Sequence, residues 1–215
     1  MPRKIVRSLW LTLAAFALLA PAAHATPLLE AASYPASLTG SALESQVFQT
    51  PNAAFKCKGL SLTGTLSKAA STATLAPTYS GCTFWEGGLG AASNGCTFQF
   101  HLEKQTEEES LYGKFESSLD ILCPEGKAIE ITTGFGICSW SYGAQTARSR
   151  VVFENRLDHT PDNLYLHFFV EGLKVTEKSK SYTCGEGTWT NGTLAGVVTL
   201  QADTEKGVGQ NLVVK

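Results

Sequence analysis

The sequence has no excess of positive charge, no phosphate-binding loop, no paired-cysteine metal motif and no serine-hydrolase elbow. Lys and Arg total 17 against 19 Asp and Glu, and charged residues make up only 17% of the chain. Such a balance gives no electrostatic footprint for nucleic acid and no basic cluster for anionic lipid. Gly87-Gly88-Leu89-Gly90 is glycine-rich, but it precedes neither a lysine nor a helical pattern, so it is not a P-loop. C-x-x-C does not occur, and no cysteine pair has finger-like spacing with histidine. G-x-S-x-G is absent too. His101-Leu102-Glu103 supplies the H-x-E of zinc deaminases without its partner, since Cys123-Pro124-Glu125-Gly126 has the wrong order and a single cysteine. Helical periodicity is also scarce. Gln105–Leu111 is the best short candidate, and no segment sustains the period over three turns.

Only one long apolar run is present, and it lies at the N-terminus. Arg3, Lys4 and Arg7 precede the stretch from Leu9 to Ala20, Pro21 ends it, and Ala23-His24-Ala25 places small residues at −3 and −1. These are the three parts of a secretory signal, with cleavage expected between Ala25 and Thr26. The run is too short to span a bilayer, which takes about 20 residues, so no integral membrane anchor is expected. Removing residues 1–25 takes three basic residues and no acidic one. The mature chain keeps 14 basic and 19 acidic residues, a balance of −5. The expected destination is extracellular.

The mature sequence reads as strands. Residues 26–50 form a loose N-terminal segment with a candidate first strand at Ser41–Phe48, and residues 51–215 form one β-domain. Phe55–Leu66 and Ser71–Tyr79 are strand regions, with Pro77 restricting the second to an edge or a strand end. Gly81-Cys82-Thr83-Phe84 is echoed by Gly95-Cys96-Thr97-Phe98 across a glycine-rich loop, which reads as a hairpin. Leu111–Ile121, Lys127–Thr133, Ile137–Tyr142, Arg148–Leu157 and Leu164–Val175 alternate, and Gly134-Phe135-Gly136 is a turn. At Gly172 the parity of the last of these strands shifts, which signals a bulge. Thr160-Pro161-Asp162-Asn163 has turn chemistry, and Asn191-Gly192 is a hairpin-turn signal before a closing strand, Gly192–Ala202. About ten regularly punctuated strands predict an all-β, single-domain antiparallel β-sandwich.

Six cysteines, Cys57, Cys82, Cys96, Cys123, Cys138 and Cys184, all follow the signal. An even count in an exported chain predicts full pairing with no free thiol. The favoured set is Cys82–Cys96 across the proposed hairpin, Cys123–Cys138 around the Lys127–Thr133 strand, and Cys57–Cys184. The rival set has Cys57–Cys82 with Cys96–Cys184.

Chemistry-bearing residues are thinly spread. His101, His159 and His167 are the mature histidines, and a hydrolase would need one of them beside a carboxylate and a hydroxyl. Trp85 opens a glycine-rich loop and Trp189 precedes a turn, which makes both candidate ligand contacts. If exposed and adjacent they would suit a glycan; if buried they are packing residues.

The runs Pro77-Thr78-Tyr79-Ser80-Gly81-Cys82-Thr83, Asn94-Gly95-Cys96-Thr97-Phe98 and Cys123-Pro124-Glu125-Gly126-Lys127, with Ile129 and Ile131, resemble those of uncharacterised secreted proteins of soil actinobacteria. The resemblance implies export and a bacterial source, and brings no activity, cofactor or catalytic residue with it. The functional expectation is a secreted, non-enzymatic binding or cell-surface module without a metal or cofactor. Its alternative forms are a module for cell-wall or extracellular glycan and a secreted hydrolase.

Overall fold

The computed structural model describes residues 26–85, 87–106, 113–155, 164–179, 184–204, 207–210 and 212–215. The signal segment, His159, the Thr160–Asn163 turn and most of Gln105–Leu111 lie outside them. Burial alternates along many of the strands, and the chain is nearly all β. The strands are β1 Leu29–Ala31, β2 Ala36–Ala42, β3 Gln46–Gln49, β4 Ala54–Leu66, β5 Thr72–Phe84, β6 Gly87–Ala92, β7 Thr97–Gln105 and β8 Lys114–Leu122. They continue with β9 Ala128–Thr133, β10 Cys138–Gly143, β11 Gln145–Asn155, β12 Leu164–Ser179, β13 Gly187–Thr204, β14 Gly207–Gln210 and β15 Leu212–Val214. Among the described residues no helix is long and apolar enough to cross a membrane.

Four long strands organise the sheet. β4 pairs with β5 and β12 with β13, all antiparallel, and β2 and β3 lie end to end between β13 and β4. Two panels connect the outer strands of this layer, β5 and β12. One is β7-β8-β11 and the other β6-β9-β10. The sheet therefore returns on itself as two opposed layers. Phe100 on β7 meets Phe168 on β12 at 5.9 Å, and Phe48 on β3 meets Tyr142 on β10 at 5.6 Å. β7 and β12 are separated by two strands in the ladder, and neighbouring strands lie about 4.8 Å apart. Contact between them is thus made across the core. β1 and β15 form a separate two-stranded ribbon.

The antiparallel two-layered expectation holds, and short strands supply the surplus over ten. The segment at 26–50 is more ordered than expected. It carries β1, β2 and β3, and the last two fill the middle of the long layer.

Pro77 sits inside β5, not at its end. β7 covers β5 only over Thr72–Leu75 and β6 only over Cys82–Phe84, so Pro77 faces the seam between the panels, where no partner asks for its missing N–H. Ser93 Oγ donates to the Pro77 carbonyl there, and Asn94 Nδ2 donates to Ala128 O at 2.9 Å. The bulge at Gly172 is present, with φ +71° and a register shift between Val170 and Leu173. Asn191-Gly192 is not a turn. It lies within β13 opposite Leu173, where the absent Cβ of Gly192 leaves room for the bulged backbone.

All six cysteines are paired. The bridges are Cys57–Cys82, Cys96–Cys123 and Cys138–Cys184. This corrects the favoured set; of the rival set only Cys57–Cys82 is present. β6 intervenes between the expected hairpin arms, and Cys82 lies beyond the part of β5 that β7 covers, directly opposite Cys57 on β4. Cys96 and Cys123 flank the paired Thr97 and Leu122, so they meet at the mouth of the β7–β8 ladder.

Candidate functional site: an exposed aromatic tip

Two hairpin turns leave the same end of the β6-β9-β10 panel. β6 and β9 run antiparallel from Leu89↔Thr133 to Ala92↔Glu130. The β5–β6 turn and the Gly134–Gly136 3₁₀ turn between β9 and β10 are therefore neighbours. Each holds an aromatic residue in the left-handed region, Trp85 at φ 52° and Phe135 at φ 61°. Non-glycine residues there carry a conformational cost and concentrate at functional positions. Trp85 is 82% exposed and Phe135 completely so. An aromatic between two glycines in a three-residue turn has no neighbouring side chain to pack on, and that was the signal in the sequence that Phe135 would face outwards.

Beside Trp85 lies a cleft of about 610 Å3 lined by Phe84, Trp85, Gly87, Gly88, Leu89, Thr133 and Gly134. None of these side chains is ionisable. The β6–β9 ladder stops at Leu89↔Thr133, so Gly87 and Gly88, which line the cleft, pair with β5 and have no β9 partner on their other edge.

A column of rings fixes the exposed indole. Trp85 stacks on Phe84 with centroids 4.7 Å apart and planes 15° apart, which leaves its other face open. Phe84 rests on Trp140 at 5.4 Å. Trp140 is 1% exposed and donates from Nε1 to Glu177 Oε1 at 3.1 Å. Glu177 is 2% exposed and accepts three further hydrogen bonds, from Thr50 Oγ1, from Asn52 Nδ2 at 2.9 Å and from Trp189 Nε1 at 2.9 Å. An ionised carboxylate offers acceptor sites only, about four of them, and four donors surround this one. Gly185 lies against the network, where a Cβ would collide with Asn52 and Glu177. Glu177 was legible in the sequence as a charge at the apolar parity of Leu173 and Val175.

Trp189, expected as a ligand contact, is instead half-buried against the core with its N–H turned inward to Glu177. Its place in β13 opposite Val175 gives it a packing role. Trp85 alone of the two presents a free face.

Among the described residues, His101 and His167 each pair with a carboxylate. His101 Nε2 lies 3.0 Å from Asp120 and His167 Nε2 2.8 Å from Glu154, each a diagonal pair between neighbouring strands. His167, Glu154 and Thr106 share a smaller cleft of about 230 Å3 with Arg150 and Phe169, but the Thr106 hydroxyl donates to Lys114 O. Among the described residues neither imidazole has a hydroxyl partner, and no group of three or more His, Cys, Asp and Glu could hold a metal ion. Among the described residues the perturbed titrating groups are two buried tyrosines. Burial holds the Tyr79 phenol well above its ordinary range, and does the same to Tyr142, with further upward pushes from Tyr79 and Glu177.

The chain matches no protein-family model, no curated protein and no solved structure.

Proposed function

We propose that the chain is an exported, non-catalytic binding module that holds a neutral glycan against the open face of Trp85. The observation that carries this reading is the exposed indole, seated on Phe84 and Trp140 above a cleft whose described walls carry no ionisable side chain. A sugar ring has one C–H face and a rim of hydroxyls. The indole accepts the first, and the bare Gly87–Gly88 backbone offers donors and acceptors to the second. Most protein ligand sites combine an apolar surface with a few fixed polar groups in this way. Rigid support matters as much as exposure, because a platform that is already ordered loses less entropy on binding. The N-terminal signal pattern and the three disulfides support export.

The test is retention of purified mature protein on insoluble cell-wall material and on neutral polysaccharides, beside Trp85→Ala. Retention of the parent with loss in the variant is the expected result. Equal retention of both proteins removes Trp85 from the site, and no retention on any of these polymers removes the glycan. Mass spectrometry of the exported product should find Thr26 as its first residue.

A further inference from the structure

Resting on that reading, we infer that the site is built for a glycan chain of several units, with Phe135 as its second aromatic contact. Trp85 and Phe135 occupy adjacent turns at one end of a single panel, and both are held in the left-handed region with their rings in solvent. Gly134, the neighbour of Phe135, lines the same cleft as Trp85. Gly87 and Gly88 also line it, and at Gly88 a Cβ would meet nothing within 4 Å. Trp85 thus borders the cleft directly, and Phe135 follows one of its lining residues in the chain. A single sugar unit covers one ring and leaves the other wet. A linear neutral chain covers both, and its hydroxyls reach the backbone groups of Gly87 and Gly88. The lack of ionisable side chains on the described walls disfavours an acidic polymer, which would find no cation to pair with.

The two contacts make different contributions. Trp85 has the stacked support that positions it for one sugar unit. Phe135 adds affinity only when the ligand is long enough to reach it, since a tethered second contact acts through effective concentration.

Isothermal titration with β-1,4-linked glucose oligomers and N-acetylglucosamine oligomers, from disaccharide to hexasaccharide, separates these roles. In the parent protein, affinity for one series should rise by about tenfold with length. Phe135→Ala should bind the disaccharide as the parent does and lose the gain with length. Trp85→Ala should lose binding at every length. Because both rings are exposed, unchanged urea midpoints confirm that the variants are folded. If Phe135→Ala keeps the full gain, the chain-length inference falls while the Trp85 reading stands. If the parent binds neither series, the glycan reading falls with it. Blue-shifted Trp85 emission on neutral phosphatidylcholine vesicles, without oligomer binding, would assign the tip to a lipid interface and overturn both.

Discussion

Trp140 and Glu177 meet in the core, where the indole N–H donates to a carboxylate oxygen 3.1 Å away. The same carboxylate takes the indole N–H of Trp189 at 2.9 Å, and Thr50 and Asn52 from the β3–β4 turn complete its partners. One buried carboxyl group thus ties β10, β12, β13 and that turn together at the end of the molecule that carries the exposed aromatics. Trp140 is also the ring beneath Phe84 and hence beneath Trp85. A polar network deep in the fold and an apolar feature on its surface are parts of one support.

Replacing Glu177 by Gln should therefore be costly despite the similar shape. The amide nitrogen would face donors in place of acceptors, leaving buried N–H groups unpaired at about 1–3 kcal/mol each. The expected loss is about 2–4 kcal/mol, read as a lower urea midpoint at unchanged slope. Glu130→Gln, on an exposed position of β9, should stay within about 0.5 kcal/mol of the parent. Equal midpoints for the two variants would mean that the network adds nothing to stability.

The disulfide pattern has a sharp readout. Proteolysis without reduction should release peptides joining Cys57 to Cys82, Cys96 to Cys123 and Cys138 to Cys184, and thiol titration should find no reactive sulfhydryl. A peptide joining Cys82 to Cys96 would contradict the register of β5. Changing Cys57 and Cys82 together to Ala should lower stability by about 3 kcal/mol, through the freedom regained by the unfolded chain.

Strand type and number follow from alternation, which is local, and so the all-β class, the Gly172 bulge and most strand positions were visible in the residues. Pairing partners were not. Cys82 and Cys96 look like arms of one hairpin because their flanking tetrapeptides match, yet β6 folds in between and sends Cys82 to β4. Asn191-Gly192 has the chemistry of a turn, but the bulge opposite it needs a residue without a Cβ, and that tertiary demand decides its role. Of the site, Trp85 could be picked out beside its glycines. Trp189 could not be told from it, since what separates them is a carboxylate twelve residues earlier that only the β12–β13 pairing brings alongside.

Alkaline pH should unfold the protein through two tyrosines. Tyr79 and Tyr142 are buried, and their hydroxyls have no hydrogen-bond partner among the described residues. Burial raises both phenols well above the ordinary value near 10 that they have in the unfolded chain. Their contribution is complete below about pH 10 and is lost as pH rises beyond it, because the unfolded chain releases protons that the folded one keeps. The slope is about 1.4 kcal/mol per pH unit for each residue. Tyr142→Phe should match or exceed the parent in stability at neutral pH, since it removes a buried unpaired hydroxyl. At about pH 11 it should retain about 1.4 kcal/mol more than the parent relative to their difference at neutral pH. Stability curves that run parallel through this range would show that Tyr142 is not protected from ionisation.

Gly88 gives the cleft a test that is separate from its aromatics. It lines the cleft, its φ lies outside the left-handed region, and a Cβ there would touch nothing within 4 Å. Gly88→Val should therefore leave the fold intact, and within a strand it should hold or raise the urea midpoint, because valine suits a pleated backbone better than glycine. The same branched side chain would stand over the backbone that the proposed ligand uses and partly fill the cleft. Stability and binding should then move apart, with an unchanged or higher midpoint and at least about a tenfold loss of affinity for the longest oligomer that the parent binds. Trp85→Ala should lose binding to a similar degree while changing stability by less than about 1 kcal/mol, as expected for a ring 82% exposed. A Gly88→Val protein that folds and binds like the parent would place the ligand off the Gly87–Gly88 strip, leaving Trp85 to act without the cleft.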